Sequence, residues 1–305
     1  MGVYRSSPLT EKDTTIGEDS RLIYAASDMQ GWRMTMEDAR ITNLTVGTAA
    51  VFAVFDGHGG TEVSKFTARH FCEELEFNTS FRSGNIEQAL IETFLRIDQM
   101  LEMPQHLTEL YCLSQNLDKA EQPDPSYRSL AGCTAVAAVV YGDQIYVANA
   151  GDSRCVVGRD GKALEMSEDH KPDLPGELAR IRKAGGYVEA GRVNSNLNLS
   201  RSLGDLEYKR ARNLEPHEQI ISGYPEVRTT TIGPNDHFMV LACDGVWDIL
   251  TSQQCVEFVY QRLGRHTPAE IVEQILTRCL APNTNTGLGC DNMTCILVVF
   301  KKPSS

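Results

Sequence analysis

What this chain lacks narrows its role before any motif is considered. Positive charge is scarce. Over 305 residues, 29 Lys and Arg stand against 41 Asp and Glu, a formal net charge of −12, which argues against nucleic acid as a partner, because phosphate backbones are bound by clustered cations. Long apolar runs are missing too: no stretch of about 18 apolar residues could span a bilayer, and none at the N-terminus could act as a signal peptide. Cysteine occurs nine times but without CxxC pairs or zinc-like Cys/His spacing, so buried thiols in a reducing compartment are expected rather than disulfides. The expected protein is soluble, monomeric and cytoplasmic, with the nucleus left open. Asn-x-Ser/Thr matches at Asn43, Asn78, Asn198 and Asn292 then carry no weight, since glycosylation requires secretion. One targeting signal remains. Met1-Gly2-Val3-Tyr4-Arg5-Ser6 fits the myristoylation pattern with Gly2 as acceptor, and a single acyl chain gives only weak, reversible membrane association.

An apolar fraction of 41% suffices for a substantial core, and no internal repeat or low-complexity segment interrupts the chain. Residues 1–20 read as a flexible, extended or frayed segment, and 21–303 as one domain. Short β-rich runs lie at Leu22 to Ser27, Ala39 to Val46 and Ala50 to Phe55, the last apolar throughout, as suits a strand covered on both faces. Val63, Phe66, His70, Phe71 and Leu75 recur at helical spacing, as do Ile86, Leu90, Phe94, Ile97 and Leu101. A helical fragment and a loop with Pro123 and Pro125 follow. Cys133 to Tyr141, Gln144 to Ala150 and Ser153 to Arg159 read as an antiparallel meander turning at Gly142-Asp143 and Gly151-Asp152. Further strands are expected at Val227 to Ile232, His237 to Cys243 and Met293 to Phe300. Ser252 to Leu263 and Pro268 to Leu280 read as amphipathic helices, the second capped by Thr267. Helices covering sheets define an α+β protein. Between about 165 and 216 the pattern weakens, and residues 179–212 hold eight Lys or Arg against three acids. This insertion is either a solvated surface excursion or a flap facing an anionic substrate.

Acidic residues recur where apolar runs begin or end: Glu37-Asp38, Asp56, Asp152, Asp244 and Asp291. Singly, each is an ordinary turn residue. Gathered at one end of adjacent strands they would repel, since two charges about 4 Å apart interact by about 4 kcal/mol at an effective dielectric of 20. A divalent cation removes that cost. An all-oxygen donor set suits magnesium or manganese, and the lack of neighbouring Cys or His ligands argues against zinc. Glycine at Gly57 would let its own carbonyl approach such an ion.

The segments WRMTMEDAR around Arg33, VFDGHGG around Asp56, AGDSR around Asp152, DHKP from Asp169, SRSLGD from Ser200, ACDGVWD around Asp244 and GCDNMT around Asp291 resemble, in that order and over about Ala25 to Phe300, the metal-dependent serine/threonine protein phosphatases of type 2C. The resemblance implies a central β-sandwich of two antiparallel sheets flanked by helix pairs, four layers in αββα order, with a flap insertion at about 165–216 beside the active site. It also implies two divalent cations, magnesium or manganese, bridged by Asp56. The Gly57 carbonyl would serve one and Asp244 and Asp291 the other, with Glu37 and Asp38 acting through water. Asp152 and Asp248, with Asp244, become candidates for a weaker third ion, and Asn292 for a supporting contact.

On that reading, ions sharing Asp56 generate hydroxide near neutral pH, which attacks phosphorus directly with no phosphoenzyme. Arg33 would clamp phosphate oxygens, the alternative being a surface arginine. His58 would protonate the leaving serine or threonine oxygen, the alternative being a structural histidine at a helix start. Phosphoproteins in signalling would be the substrates. A non-catalytic scaffold would have lost these aspartates, a nuclease would show a basic groove, and a P-loop enzyme would carry GxxxxGK[ST]; the sequence has none of these marks.

Overall fold

Every side chain of the strand Ala49–Phe55 is buried, because successive residues of a strand face opposite ways and both sides of this one are covered. Ala50, Phe52 and Val54 enter the space between two sheets, whereas Val51, Ala53 and Phe55 face helices. This alternation organises the whole computed structural model, which describes residues 4–117 and 127–301. A five-stranded antiparallel sheet runs in the order Glu226–Thr231, Gln144–Ala150, Ala135–Tyr141, Ala49–Phe55, Ala39–Val46. A six-stranded one runs Lys162–Glu165, Arg154–Arg159, Asp236–Ala242, Met293–Phe300, Leu22–Met29, Asp13–Glu18. Helices Glu62–Phe77 and Ile86–Leu101 cover the first sheet, and Ser252–Tyr260 and Pro268–Cys279 cover the second. The layers are those expected of the αββα sandwich. Thr267 caps the last helix in a capping box with Glu270, as its sequence suggests. Among the described residues no helix is long and apolar enough to cross a membrane.

Two expectations change. The strand Arg154–Arg159 does not continue a meander; it pairs with Lys162–Glu165 and Asp236–Ala242 in the other sheet, so Gly151-Asp152 is a crossing between sheets and not a hairpin turn. The DHKP segment fixes that crossing. Arg154 makes paired hydrogen bonds of 3.0 and 2.9 Å to Asp169, and the Gly151 N–H donates to His170 Nδ1. Near the N-terminus, Tyr4–Leu9 and Asp13–Glu18 are strands and not a flexible segment, because each finds a partner, Gly31–Arg33 and Leu22–Met29 respectively. Gly2 and the expected loop with Pro123 and Pro125 lie outside the described residues.

The insertion at about 165–216 is built. Its helix Pro175–Lys183 and the hairpin of Val188–Glu189 with Arg192–Val193 close over a small core of Ile181, Val193 and Ile221. Beneath them Glu177, 5% exposed, accepts from Arg180, Arg201 and Ser200.

Candidate active site

Strand register brings the acidic motifs together. Ala39 pairs with Phe55, which sets Asp38 beside Asp56. Ala242 pairs with Cys295, which sets the residues just beyond, Asp244 and Asp291, at the same end of the second sheet. The sheet crossing delivers Asp152. A cavity of about 550 Å³ opens there, lined in part by Arg33, Glu37, Asp56, Gly57, His58, Asp152, Asp244, Asp291 and Asn292. Glycine at Gly57 has a packing cause: a Cβ would lie 2.3 Å from the Glu37 carbonyl oxygen and 2.9 Å from Ser64 Oγ.

The electrostatics are those of crowded carboxylates. Desolvation, and then Asp244, Asp38, Asp291 and Asp152, push the Asp56 carboxyl well above the usual range. Desolvation followed by Asp152, Asp291 and Asp248 does the same to Asp244. Asp38 is fully enclosed beneath the cavity and pushed up to about 7, chiefly by burial. Its Oδ2 accepts from Thr294 Oγ1 at 2.7 Å, while its Oδ1 is buried with no partner among the described residues. Cys243 corrects the expectation that no Cys or His neighbours the acids, since its sulfur and oxygens of Asp38 and Asp56 lie within 4.8 Å of one another. Burial and the carboxylates of Asp38, Asp56 and Asp244 hold that thiol protonated, so oxygen remains the ionic donor.

The other expected residues divide. Arg33 Nη2 donates to Asp291 at 2.5 Å, and its Nε is buried without a partner among the described residues. Burial lowers its basicity, but Asp291 outweighs that and raises it overall. Asn292 braces the loop carrying Arg33 and Glu37: it accepts from Glu37 N and donates to the carbonyls of Gln30 and Thr35, all at 2.9 Å. Asp248 follows the short helix Asp244–Trp247, is exposed, and does not line the cavity. Lys171, whose Nζ donates to Asp152, was given no role by the sequence despite standing in DHKP.

Asp205 was missed in the same way. A small sheet aligns Leu203–Gly204, Gly132–Cys133 and Gly57–His58, and so carries Asp205 to His58 with Nε2 and Oδ2 2.7 Å apart. Burial pulls the imidazolium down, yet the Asp205 carboxylate outweighs it and His58 is raised. Gly132 must be glycine here, for a Cβ would sit 2.2 Å from Asp205 Oδ2 and 2.6 Å from His58 Nε2. Both motifs were recognisable segments. Their partners were not, because each contact joins residues far apart in the chain.

The insertion forms a cavity wall through Arg192, Asn196 to Leu199 and Tyr208. Much of its positive charge is spent internally: Arg180 and Arg201 on Glu177, Lys183 on Glu218, Lys209 on Asp98. Arg192 reaches the cavity.

Comparison with known proteins gives a consistent answer. The family model described as protein phosphatase 2C matches residues 23–287. Probable protein phosphatase 2C 6 of Paramecium tetraurelia is 49% identical over 303 residues, spanning 99% of this chain and 100% of that protein. Probable protein phosphatase 2C 60 of Arabidopsis thaliana is 43% identical, spanning 100% of this chain and 93% of that one. Among solved structures, the serine-threonine phosphatase 2C from Toxoplasma gondii has the same fold, with a TM-score of 0.74 at 23% identity over 98% of this chain and 99% of that chain.

Proposed function

The chain belongs to the protein phosphatase 2C family of metal-dependent serine/threonine phosphatases, and from that premise we propose how its own residues divide the work. The donor set fits the family's divalent ions. It consists of carboxylate and carbonyl oxygens converging on one cavity, with a buried Asp38 oxygen that no described residue satisfies, and such oxygens suit magnesium or manganese. Asp56, the Gly57 carbonyl, Asp244 and Asp291 would hold two ions, and Glu37 and Asp38 would act through water. When bound, such ions neutralise the carboxylates and lower the pKa of water enough for direct hydrolysis of the phosphoester.

The protein supplies orientation and a proton. The unpartnered Arg33 Nε and the Nη groups around it offer a planar set of donors to phosphate oxygens. His58, whose charged form the Asp205 carboxylate favours, would deliver a proton to the serine or threonine oxygen as the ester bond breaks. Asp205 is a positioning residue: it holds the imidazole in place and sustains its charge.

The observation that carries this reading is the convergence of Asp56, Asp244 and Asp291 with Arg33 and His58 in one cavity. Phosphate release from a phosphothreonine peptide, with manganese and with a chelator control, tests it. Asp56→Ala and Asp244→Asn should each abolish release that excess manganese does not restore; near-wild-type turnover by either would sink the assignment. His58→Ala should slow the peptide far more than an activated aryl phosphate. We further propose, from composition and the Met1-Gly2-Val3-Tyr4-Arg5-Ser6 pattern rather than from the site, a monomer in the cytoplasm or nucleus that acts on phosphoproteins, with Gly2 a candidate acyl acceptor. Intact mass of protein from its native cell, and its sedimentation, would decide those points.

A further inference from the structure

A second cluster of metal-ligating side chains lies on the helical layer, and none of its members lines the catalytic cavity. His70 stands on the helix Glu62–Phe77. His106 ends the 3-10 turn Pro104–His106, which runs straight into the helix Leu107–Ser114 carrying Glu109. The His-x-x-Glu spacing places His106 and Glu109 on one helical face, and the packing of the two helices turns that face to His70. One donor atom from each of the three lies within 4.8 Å of the others. His70 Nε2 and Glu109 Oε2 are 2.8 Å apart.

The surroundings resemble a ligand shell. Buried Phe66 packs under both imidazoles, with ring centroids at 4.3 and 5.2 Å, which limits their motion. The second Glu109 oxygen accepts from Arg69 at 3.3 Å, the kind of outer contact that orients a ligating carboxylate. Among the described residues the ring nitrogens of His106 have no hydrogen-bond partner. Burial and then His70 draw His106 below the usual imidazole value, Arg96 adding to this and Glu109 and Glu74 opposing it, and a neutral imidazole is the form that ligates. All three residues are half-buried, so an ion can reach them.

We propose that His70, His106 and Glu109 bind a divalent transition ion of the zinc class, with water in the fourth position, clamping the helix Leu107–Ser114 to Glu62–Phe77. Two imidazoles and one carboxylate favour zinc over magnesium or manganese, whereas the oxygen donors of the catalytic cavity favour the reverse. The two sites are therefore separable by metal. Tetrahedral bonds of about 2.0–2.1 Å put donors roughly 3.3 Å apart, a distance that modest side-chain rotation can reach here.

Calorimetric titration of zinc chloride into the full-length enzyme, held in millimolar magnesium, tests this. One equivalent should bind in the micromolar range or tighter, persist in Asp244→Asn, and weaken by at least about 30-fold in His106→Ala and in Glu109→Gln. Cobalt in place of zinc should give tetrahedral visible bands that His106→Ala abolishes. Retained magnesium-dependent turnover will show that His106→Ala is folded; should it not be, His106→Gln at this half-exposed position carries the same comparison. Zinc uptake equal in wild type and the His106 and Glu109 variants, uptake lost in Asp244→Asn, or no uptake below about 100 μM would overturn the proposal.

Discussion

Replacing Glu177 by Gln should loosen the cavity wall formed by the insertion, and the size of the effect follows from its contacts. Glu177 accepts from Arg180 at 2.5 Å, Arg201 at 2.7 Å and Ser200 at 2.6 Å. Burial alone would raise its pKa, but these partners outweigh burial and lower it from 4.5 to about 2. At 1.36 kcal/mol per unit, the ionised carboxylate contributes roughly 3 kcal/mol of stability at pH 7. Burial draws Arg180 below its ordinary value despite Glu177, so the net worth of the cluster is somewhat less, about 2 to 3 kcal/mol.

The sign of the pH dependence is fixed by the direction of that shift. A depressed folded-state pKa stabilises above the unfolded value and loses its effect as pH falls from about 4.5 through about 2. At pH 3.5 roughly 2 of the 3 kcal/mol should remain. Hydrogen exchange of the helix Pro175–Lys183 reads this local stability directly. Glu177→Gln should speed opening about 30- to 100-fold at pH 7, a gap that narrows several-fold by pH 3.5. The KM for a phosphopeptide should rise more than kcat falls, because Glu177 touches no reacting group. Unchanged protection, or a gap identical at both pH values, would refute the reasoning.

Three further outcomes follow from single contacts. Asp205→Asn removes the carboxylate charge that raises His58. The alkaline limb of the peptide pH-rate profile, where a raised His58 loses its proton, should therefore move toward acid. The aryl phosphate profile should stay put; equal movement of both would count against an acid role. Gly132→Ala intrudes on the same pair, so it should reproduce most of the Asp205→Asn defect on the peptide while far-UV circular dichroism stays unchanged; full activity would show that the pair is not required. Thr267→Ala deletes the cap of Pro268–Cys279 and should lower unfolding free energy by about 1 kcal/mol without altering kcat, as urea denaturation can check.

The sheets were legible because their pattern is local. Ala49–Phe55 is apolar at every position, and a strand covered on both faces requires that. Thr267 announced its helix for a similar reason, its cap lying three residues from its partner. The strand Arg154–Arg159 was assigned to the wrong sheet because a Gly-Asp step serves a hairpin and a sheet crossing equally well. What chooses is the Arg154–Asp169 pair and the Gly151–His170 hydrogen bond, and neither is visible in strand periodicity. Asp13–Glu18 carries no local signal, because an exposed strand of mostly polar residues takes its form from pairing, here with Leu22–Met29. His70 fell on an apolar stripe and passed as core; only the fold turns it toward His106 and Glu109.

Charge balance at the cavity explains which of its acids matter most. Glu37, Asp38, Asp56, Asp152, Asp244, Asp248 and Asp291 gather around two fixed cations, Arg33 and Lys171, in the contacts and mutual fields already described. If all were ionised, the cluster would hold five uncompensated negative charges, which is why Asp56 and Asp244 resist ionisation in the protein alone. The two divalent ions proposed above would bring the cluster close to neutrality. A third ion at Asp152 would have to compete with Lys171, whose Nζ already donates to that carboxylate. The same count bears on Arg33: on the proposed reading, cations held by Asp291 would weaken its hold on the guanidinium, leaving more of the Arg33 donors for a phosphate.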